Sequence, residues 1–377
     1  MLDRLVNLNT IPLALLILLT CLFLIQIIYY LVIFIRLARY KQPQPSADKK
    51  GISVVICAHN EYYNLKANLP LILEQDYPEF EVLVVNHVSD DETGYLLSDL
   101  QREYPKLSSI EIHEDLNFFT GKKFPLAIGI KSAKYDRVLL TDADCKPASR
   151  NWISSMQSAY HNGKEIVLGY SPYSKSKGLL NRLIRFDTAH IATQYLSYGL
   201  AGIPYMGVGR NLSYLKSLFY DSKGFIPHYR VRSGDDDLFI NRAARKSNTA
   251  VMVHPDSFTI SEPKKTFSHW ILQKRRHFTT AGHYRFLHRF LLGLYTFDLF
   301  WYFVLSVLML ALNYSVIPVV GMFVLRMAMQ YLILAPCFRK LGEKDLVLFI
   351  PLLEIVLLFL NSGVAVVNVF RKPKKWK

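Results

Sequence analysis

Arg137-Val-Leu-Leu-Thr-Asp-Ala-Asp-Cys145 decides the reading of this chain. Residues 137–141 make an apolar run of strand length, and two carboxylates, Asp142 and Asp144, follow at its end. In an extended segment residues i and i+2 point the same way, so both acids can face one divalent cation. Mg²⁺ typically takes one or two protein carboxylates and completes its shell with phosphate oxygens and water. The plainer alternative is that one acid caps a helix expected to begin near Ser149.

Upstream the pattern alternates. Residues 52–58 are a continuous run rich in β-branched types, and 65–75 are amphipathic at helical spacing. A strand at 81–85, a helix at 91–104, a strand at 109–113 and a helix at 122–134 precede the 137–141 strand. Such alternation predicts an α/β domain, a mostly parallel sheet with helices on both faces. Ligands of such sheets bind beyond the carboxyl ends of the strands. The polar clusters sit there: Ala58-His59-Asn60-Glu61, Asn86-His87-Val88-Ser89 and Asp142-Ala143-Asp144. Neither G-x-G-x-x-G nor G-x-x-x-x-G-K-[ST] is present, which disfavours a dinucleotide enzyme or a P-loop ATPase.

Two signals lie downstream. Ser233-Gly234-Asp235-Asp236-Asp237-Leu238 places three acids at the start of a helix-like stretch at 238–245. They can serve the helix dipole, or supply a general base beside a cation site. Arg230, Arg232 and Arg242 could pair with them or with phosphates. Gln273-Lys274-Arg275-Arg276-His277 lies in a basic, aromatic region, 263–290, expected to form an amphipathic helix in the membrane interface. Gly207-x-x-Arg210-Asn211 reads as a loop lining the cleft, or as an ordinary turn.

The membrane argument rests on composition. Of 377 residues 51% are apolar, yet Lys plus Arg is 45 against 30 Asp plus Glu, a net charge of +15. A mean hydropathy of +0.15 with that much charge requires the two to be segregated. The 25 residues from 11 to 35 carry no charge. That exceeds the ~20 needed to span a bilayer, with no small-residue cleavage site, so 11–36 reads as a retained anchor. Arg36, Arg39, Lys41, Lys49 and Lys50 follow it, which predicts a cytoplasmic domain at 51–262. Residues 291–370 hold three more apolar blocks, near 291–312, 315–337 and 346–370. Arg326 and Glu354 fall inside them, where ionisable groups face a protein interior or a polar cavity. Three spans would carry the basic tail, 371–377, to the far side, against the charge rule; a last block that is re-entrant or interfacial removes the conflict. Four cysteines without C-x-x-C spacing argue against a zinc site or a disulfide framework. Adjacent spans argue against nucleic acid as the partner of the basic residues.

The ordered set of motifs, over about residues 51–283, resembles the membrane-bound family 2 glycosyltransferases, whose catalytic domain has the GT-A fold. Ser53-Val-Val-Ile-Cys-Ala-His-Asn-Glu61 is similar to the family's first donor loop, which implies donor contacts from His59 and Glu61. Asn86-His-Val-Ser-Asp-Asp-Glu-Thr93 is similar to the loop after the second strand and brings in Asp91. There the family usually sets an acid against the nucleobase, where this chain has Asn86-His87. Lys122 resembles the family's basic donor contact. Asp142 and Asp144 match its metal- and diphosphate-binding D-x-D. Gly234-Asp235-Asp236 is similar to T-E-D or G-D-D, which makes Asp236 the expected general base, with Asp235 beside it. Gln273-x-x-Arg276-His277 is similar to Q-x-x-R-W.

The resemblance implies one N-terminal and about three C-terminal transmembrane helices around a GT-A domain. It implies inverting transfer from a UDP- or GDP-linked sugar with Mg²⁺ or Mn²⁺. The placement of the domain between membrane segments points to a lipid or lipid-linked acceptor at the cytoplasmic face of the cell membrane. The alternatives are a processive polysaccharide synthase, an inactive membrane-anchored relative, or a small transporter.

Overall fold

The structure, a computed structural model, describes residues 2–42, 49–114, 121–231 and 233–370, with side chains from residue 12 onward. The basic tail at 371–377 and Arg232 lie outside the described residues. The strands are β1 (Ile52–Ala58), β2 (Phe80–His87), β3 (Leu107–Ile112), β4 (Arg137–Asp142), β5 (Cys145–Pro147), β6 (Ile166–Leu168), β7 (Leu212–Leu215), β8 (Thr249–Val251) and β9 (Thr259–Ser261).

Seven strands form one sheet in the order β3-β2-β1-β4-β7-β6-β8, and β5 pairs with β9. β3, β2, β1 and β4 are parallel, β7 is antiparallel to both its neighbours, and β6 pairs parallel with β8. This is the mostly parallel α/β sheet of the sequence reading. β1 and β4 are buried along nearly their whole length. That is why they read as continuous apolar runs rather than alternating ones: both faces are covered.

The helices Tyr62–Leu73, Thr93–Glu103 and Lys123–Ser132 fall within three residues of the expected bounds. Asp91 lies ahead of its helix instead of inside it, and its Oδ1 accepts from the Thr93 N–H at 3.0 Å. That bond satisfies one of the donors a helix leaves free at its start.

The helix Leu179–Leu200 lies between the α/β sheet and the long apolar helices, with buried residues on every side. Phe186 packs on Phe338 at 5.3 Å between ring centres. Arg185, itself buried, bonds to Glu343, just ahead of the last apolar helix, and to Asp345, in its first turn. Among the described residues four helices are long and apolar enough to cross a membrane: Pro12–Arg39, Phe286–Ala311, Val316–Lys340 and Lys344–Phe370. Their exposed side chains are mainly apolar, among them Leu13, Phe297, Ile317, Leu332 and Leu348. Arg326 and Glu354 pair with each other inside the bundle, and the guanidinium also reaches Gln26 and Tyr30. An ion pair buried among apolar helices satisfies both charges at once, which neither could achieve against lipid.

The last of these helices is tied to the catalytic domain at both ends. Glu343 and Asp345 hold Arg185 at its start, and Asn368 bonds to Arg275 near its end. The 263–290 region also departs from a single amphipathic helix. It forms a helix at Phe267–His277, a 3₁₀ turn at Ala281–His283 and then the start of the Phe286–Ala311 helix. Trp270 and Lys274 turn inward and are buried, while Phe267, Leu272, Phe286 and Phe290 remain outside. A buried partner for Lys274, Asp187, is the physical reason, since a free ammonium would have stayed in water.

Candidate active site

Asp142 ends β4, and Asp144 follows after one residue, so both carboxylates emerge beyond the carboxyl edge of the parallel strands. Lys122, just ahead of the Lys123–Ser132 helix, bonds to Asp142. Burial works against the charge on each, but their mutual attraction more than reverses it: the Asp142 carboxyl is held below, and the Lys122 ammonium above, its ordinary range. Asp144 has no such partner. Burial and the neighbouring Asp142 and Glu61 push its carboxyl upward, with Arg210 opposing.

The Asp142 and Asp144 carboxylates and the Cys145 thiol offer ligand atoms within 4.8 Å of one another. The thiol is pushed up to about 12 by burial and the adjacent acids, and its sulfur lies 2.9 Å from the Ser261 hydroxyl. A protonated, hydrogen-bonded thiol is not a ligand for a hard cation. Two carboxylates then remain, an oxygen donor set that fits Mg²⁺ or Mn²⁺, and a cation would relieve the repulsion between them.

Two distant segments bring further positive charge. Arg210 and Arg276 both act electrostatically on Asp142. The Arg210 guanidinium stacks 4.5 Å from the ring centre of Tyr173, whose hydroxyl accepts from Gln273 Nε2 at 3.2 Å. Asn211 fixes this loop from below: its amide donates to the Tyr170 and Ser257 carbonyls and accepts from the Trp152 indole. His277 stands exposed at the cleft mouth, close to Arg276, Arg210 and Asp142.

The acidic turn sits opposite. Gly234 has φ of +96°, and a Cβ there would lie 2.5 Å from Leu238, so only glycine fits. The three acids that follow have different surroundings. Asp237 is buried and accepts from the Thr280 and Tyr284 hydroxyls. Asp236, half-buried, has both oxygens on backbone: Oδ2 accepts from Gly209 N–H at 2.8 Å and Oδ1 from Asp237 N–H at 2.7 Å. Asp235 faces the charges of Lys122 and Asp142. Burial pushes Asp235 up to about 6, with Asp236 adding to it. The same value holds for Asp236, through burial and then Asp237.

The donor-loop residues fall at the other side of the strand ends. His59 Nδ1 lies 2.8 Å from the His87 carbonyl. Glu61 accepts from Asn64 at 2.6 Å and lies near Asp144. Both Asp91 oxygens are engaged by backbone, from Tyr62 N–H and Thr93 N–H, so it ties two loops together. Asn86 is buried and donates to Glu111 on the adjacent strand at 2.7 Å, which puts a carboxylate beside the position where this chain has an amide. Nothing in the sequence marks Tyr173 or Glu111, whereas Arg210 falls in the loop read there as lining the cleft.

A doubly covered, mostly parallel sheet with paired carboxylates at its carboxyl edge defines the class: a GT-A domain carried on membrane-type helices. Residues 53–232 match the profile of glycosyl transferase family 2. Among solved structures it is similar to a mannosyltransferase from Pyrobaculum calidifontis in complex with GDP-Man and Mn²⁺. The TM-score is 0.58 at 19% identity, covering 94% of this chain and 98% of that one, a likeness of fold. Among curated relatives it is similar to poly-beta-1,6-N-acetyl-D-glucosamine synthase. The Staphylococcus epidermidis protein is 31% identical over 96 residues, 25% of this chain and 22% of that protein. The Staphylococcus aureus protein is 31% identical over 120 residues, 32% of this chain and 28% of that protein. The chain thus spans less than a third of the length of the curated relatives it matches.

Proposed function

We propose that the chain transfers a sugar from a UDP- or GDP-linked donor to a lipid or lipid-linked acceptor at the cytoplasmic membrane face, with inversion. The observation that carries this is the meeting of Lys122, Arg210 and Arg276 around the Asp142–Asp144 carboxylates, opposite Asp235. Asp142 and Asp144 would hold a divalent cation, which supplies positive charge against the donor's diphosphate. Lys122, Arg210 and Arg276 supply charge and hydrogen bonds to the same phosphates as the leaving group departs.

For the base, the geometry favours Asp235 over Asp236. Asp236 spends both oxygens capping a helix and holding the Gly209 loop. Asp235 faces the charged cleft, and a carboxyl held near 6 is ionised at neutral pH yet basic enough to take the acceptor hydroxyl's proton as the bond forms. Attack from that side, opposite the diphosphate, inverts the anomeric carbon.

The acceptor class rests on placement. The domain is fastened to the membrane helices through Arg185, Arg275 and the Tyr40 hydroxyl, which donates to the Val251 carbonyl, so its cleft stays at the bilayer. The basic residues after the first apolar helix favour the cytoplasmic side. To test the assignment, membranes are incubated with radiolabelled nucleotide-sugars and the products partitioned between butanol and water. Label in the organic phase supports a lipid acceptor; label only in small water-soluble products refutes it. A second reading, processive synthesis, is supported by the synthase names of the curated relatives, and label in polymer would favour it.

A further inference from the structure

The Gln273–His277 motif is built on one helix whose faces divide its work. At 3.6 residues per turn Gln273, Arg276 and His277 fall within about 100° of arc, while Lys274 lies on one flank and Arg275 at the back. The front face meets Tyr173 and the field of Asp142. The flank and back are held. Lys274 Nζ donates to both oxygens of Asp187 at 2.6 and 2.7 Å, with both residues buried and the Trp270 ring alongside. Arg275 and Asn368 bond reciprocally: Arg275 Nε donates to Asn368 Oδ1 at 2.9 Å, and Asn368 Nδ2 donates to the Arg275 carbonyl at 2.8 Å.

These two holds belong to one closed frame. Asp187 is two residues from Arg185 on the Leu179–Leu200 helix, and Arg185 bonds to Glu343 and Asp345 at the start of the last apolar helix. That helix ends at Phe370, two residues beyond Asn368. The motif helix is therefore gripped from both sides by elements that are also bonded to each other.

We infer that Asp187 and Asn368 are positioning residues for the donor: they fix the axial rotation of the Phe267–His277 helix, so that Gln273, Arg276 and His277 face the diphosphate site. The inference rests on the transferase reading above. A rotation of the helix by one residue, about 100°, would carry Arg276 out of the cleft altogether. Small slack at Lys274 or Arg275 therefore costs donor contacts without touching the acid pair or the base.

The test measures donor KM, kcat and nucleotide dissociation constant in purified full-length protein in detergent, with acceptor saturating. Asn368→Ala removes both bonds of the back hold and should raise donor KM and nucleotide dissociation constant about 5- to 50-fold, while Arg275→Ala removes the side-chain bond alone and should raise them by less. Asp187→Asn should do the same, and Asp187→Glu should recover most of it. Because Asp187→Asn leaves a buried ammonium weakly paired, the double variant Asp187→Leu/Lys274→Met is measured beside it; its melting temperature should stay near wild type while donor affinity falls. Wild-type donor KM in Asn368→Ala, Arg275→Ala and the double variant overturns the inference, as does a loss confined to the active fraction with donor KM unchanged. If wild-type protein releases no nucleotide from any donor, the transferase reading has failed instead.

Discussion

Replacing Asp235 and Asp236 by Asn, one at a time, separates a base from a cap. In Asp235→Asn the amide keeps the shape of the side chain but cannot accept the acceptor's proton. Loss of a general base costs ~10²–10⁴-fold in kcat, about 3–5 kcal/mol of barrier. Donor affinity should hold, because Lys122, Arg210 and Arg276 still surround the diphosphate site. In Asp236→Asn one oxygen can still accept a backbone N–H, and only one of the two bonds to Gly209 and Asp237 is lost. A weakened cap costs about 0.5–2 kcal/mol of stability, so this variant should melt earlier and keep kcat within about tenfold. The wild-type pH profile checks that a raised carboxyl of this turn is the base; Asp235 and Asp236 share the value, and the two variants tell them apart. With Asp235 near 6, the ionised fraction falls to about a tenth one unit below, so kcat should drop about tenfold from its plateau by about pH 5. A carboxyl at the ordinary ~3.9 would still be over nine-tenths ionised there. Both assays read released nucleotide at saturating donor. A dead Asp236→Asn beside an active Asp235→Asn would refute the assignment, and a flat profile down to about pH 5 would refute the role of the raised carboxyl.

Other expectations follow from the same contacts. Lys122→Gln should raise donor KM about 10- to 100-fold, because a charged contact to phosphate is worth ~1.5–3 kcal/mol, and should also lower the melting temperature, because Asp142 loses its ammonium partner. Glu354→Leu strands the buried Arg326 charge and should destabilise the protein by about 3–5 kcal/mol in a detergent melt; Arg326→Met/Glu354→Leu together should recover most of that. The tail should lie on the same side of the membrane as the catalytic domain, because the last apolar helix is bonded to that domain at both ends. A cysteine at Lys374 should then react with an impermeant maleimide only in inverted vesicles; labelling from the outside of intact cells would contradict it.

How much the sequence disclosed depends on where the determining contact lies. β1 and β4 were legible because double-sided burial writes itself as unbroken apolar runs, and the strand-end carboxylates follow from those runs. The Leu179–Leu200 helix was not, since a helix packed on every side carries no polar stripe to set its period. Asp187 and Lys274 are 87 residues apart, and nothing local marks either as the other's partner. The acidic turn was legible, with Asp236 as the expected base; three adjacent acids look alike in sequence, and the fold shows that Asp236 accepts from the Gly209 and Asp237 N–H groups while Asp237 accepts from the Thr280 and Tyr284 hydroxyls. The last apolar block has the hydropathy of a span; the basic tail pointed to a re-entrant or interfacial block, and the Asn368–Arg275 bonds set its far end beside the Phe267–His277 helix.

The most direct test of the central claim is nucleotide release by purified protein in detergent across a panel of UDP- and GDP-sugars, with and without EDTA, in wild type and Asp144→Ala. The account predicts release from at least one donor by wild type with Mg²⁺ or Mn²⁺, and none in EDTA or in the variant. Equal release in EDTA, or in Asp144→Ala, would contradict it.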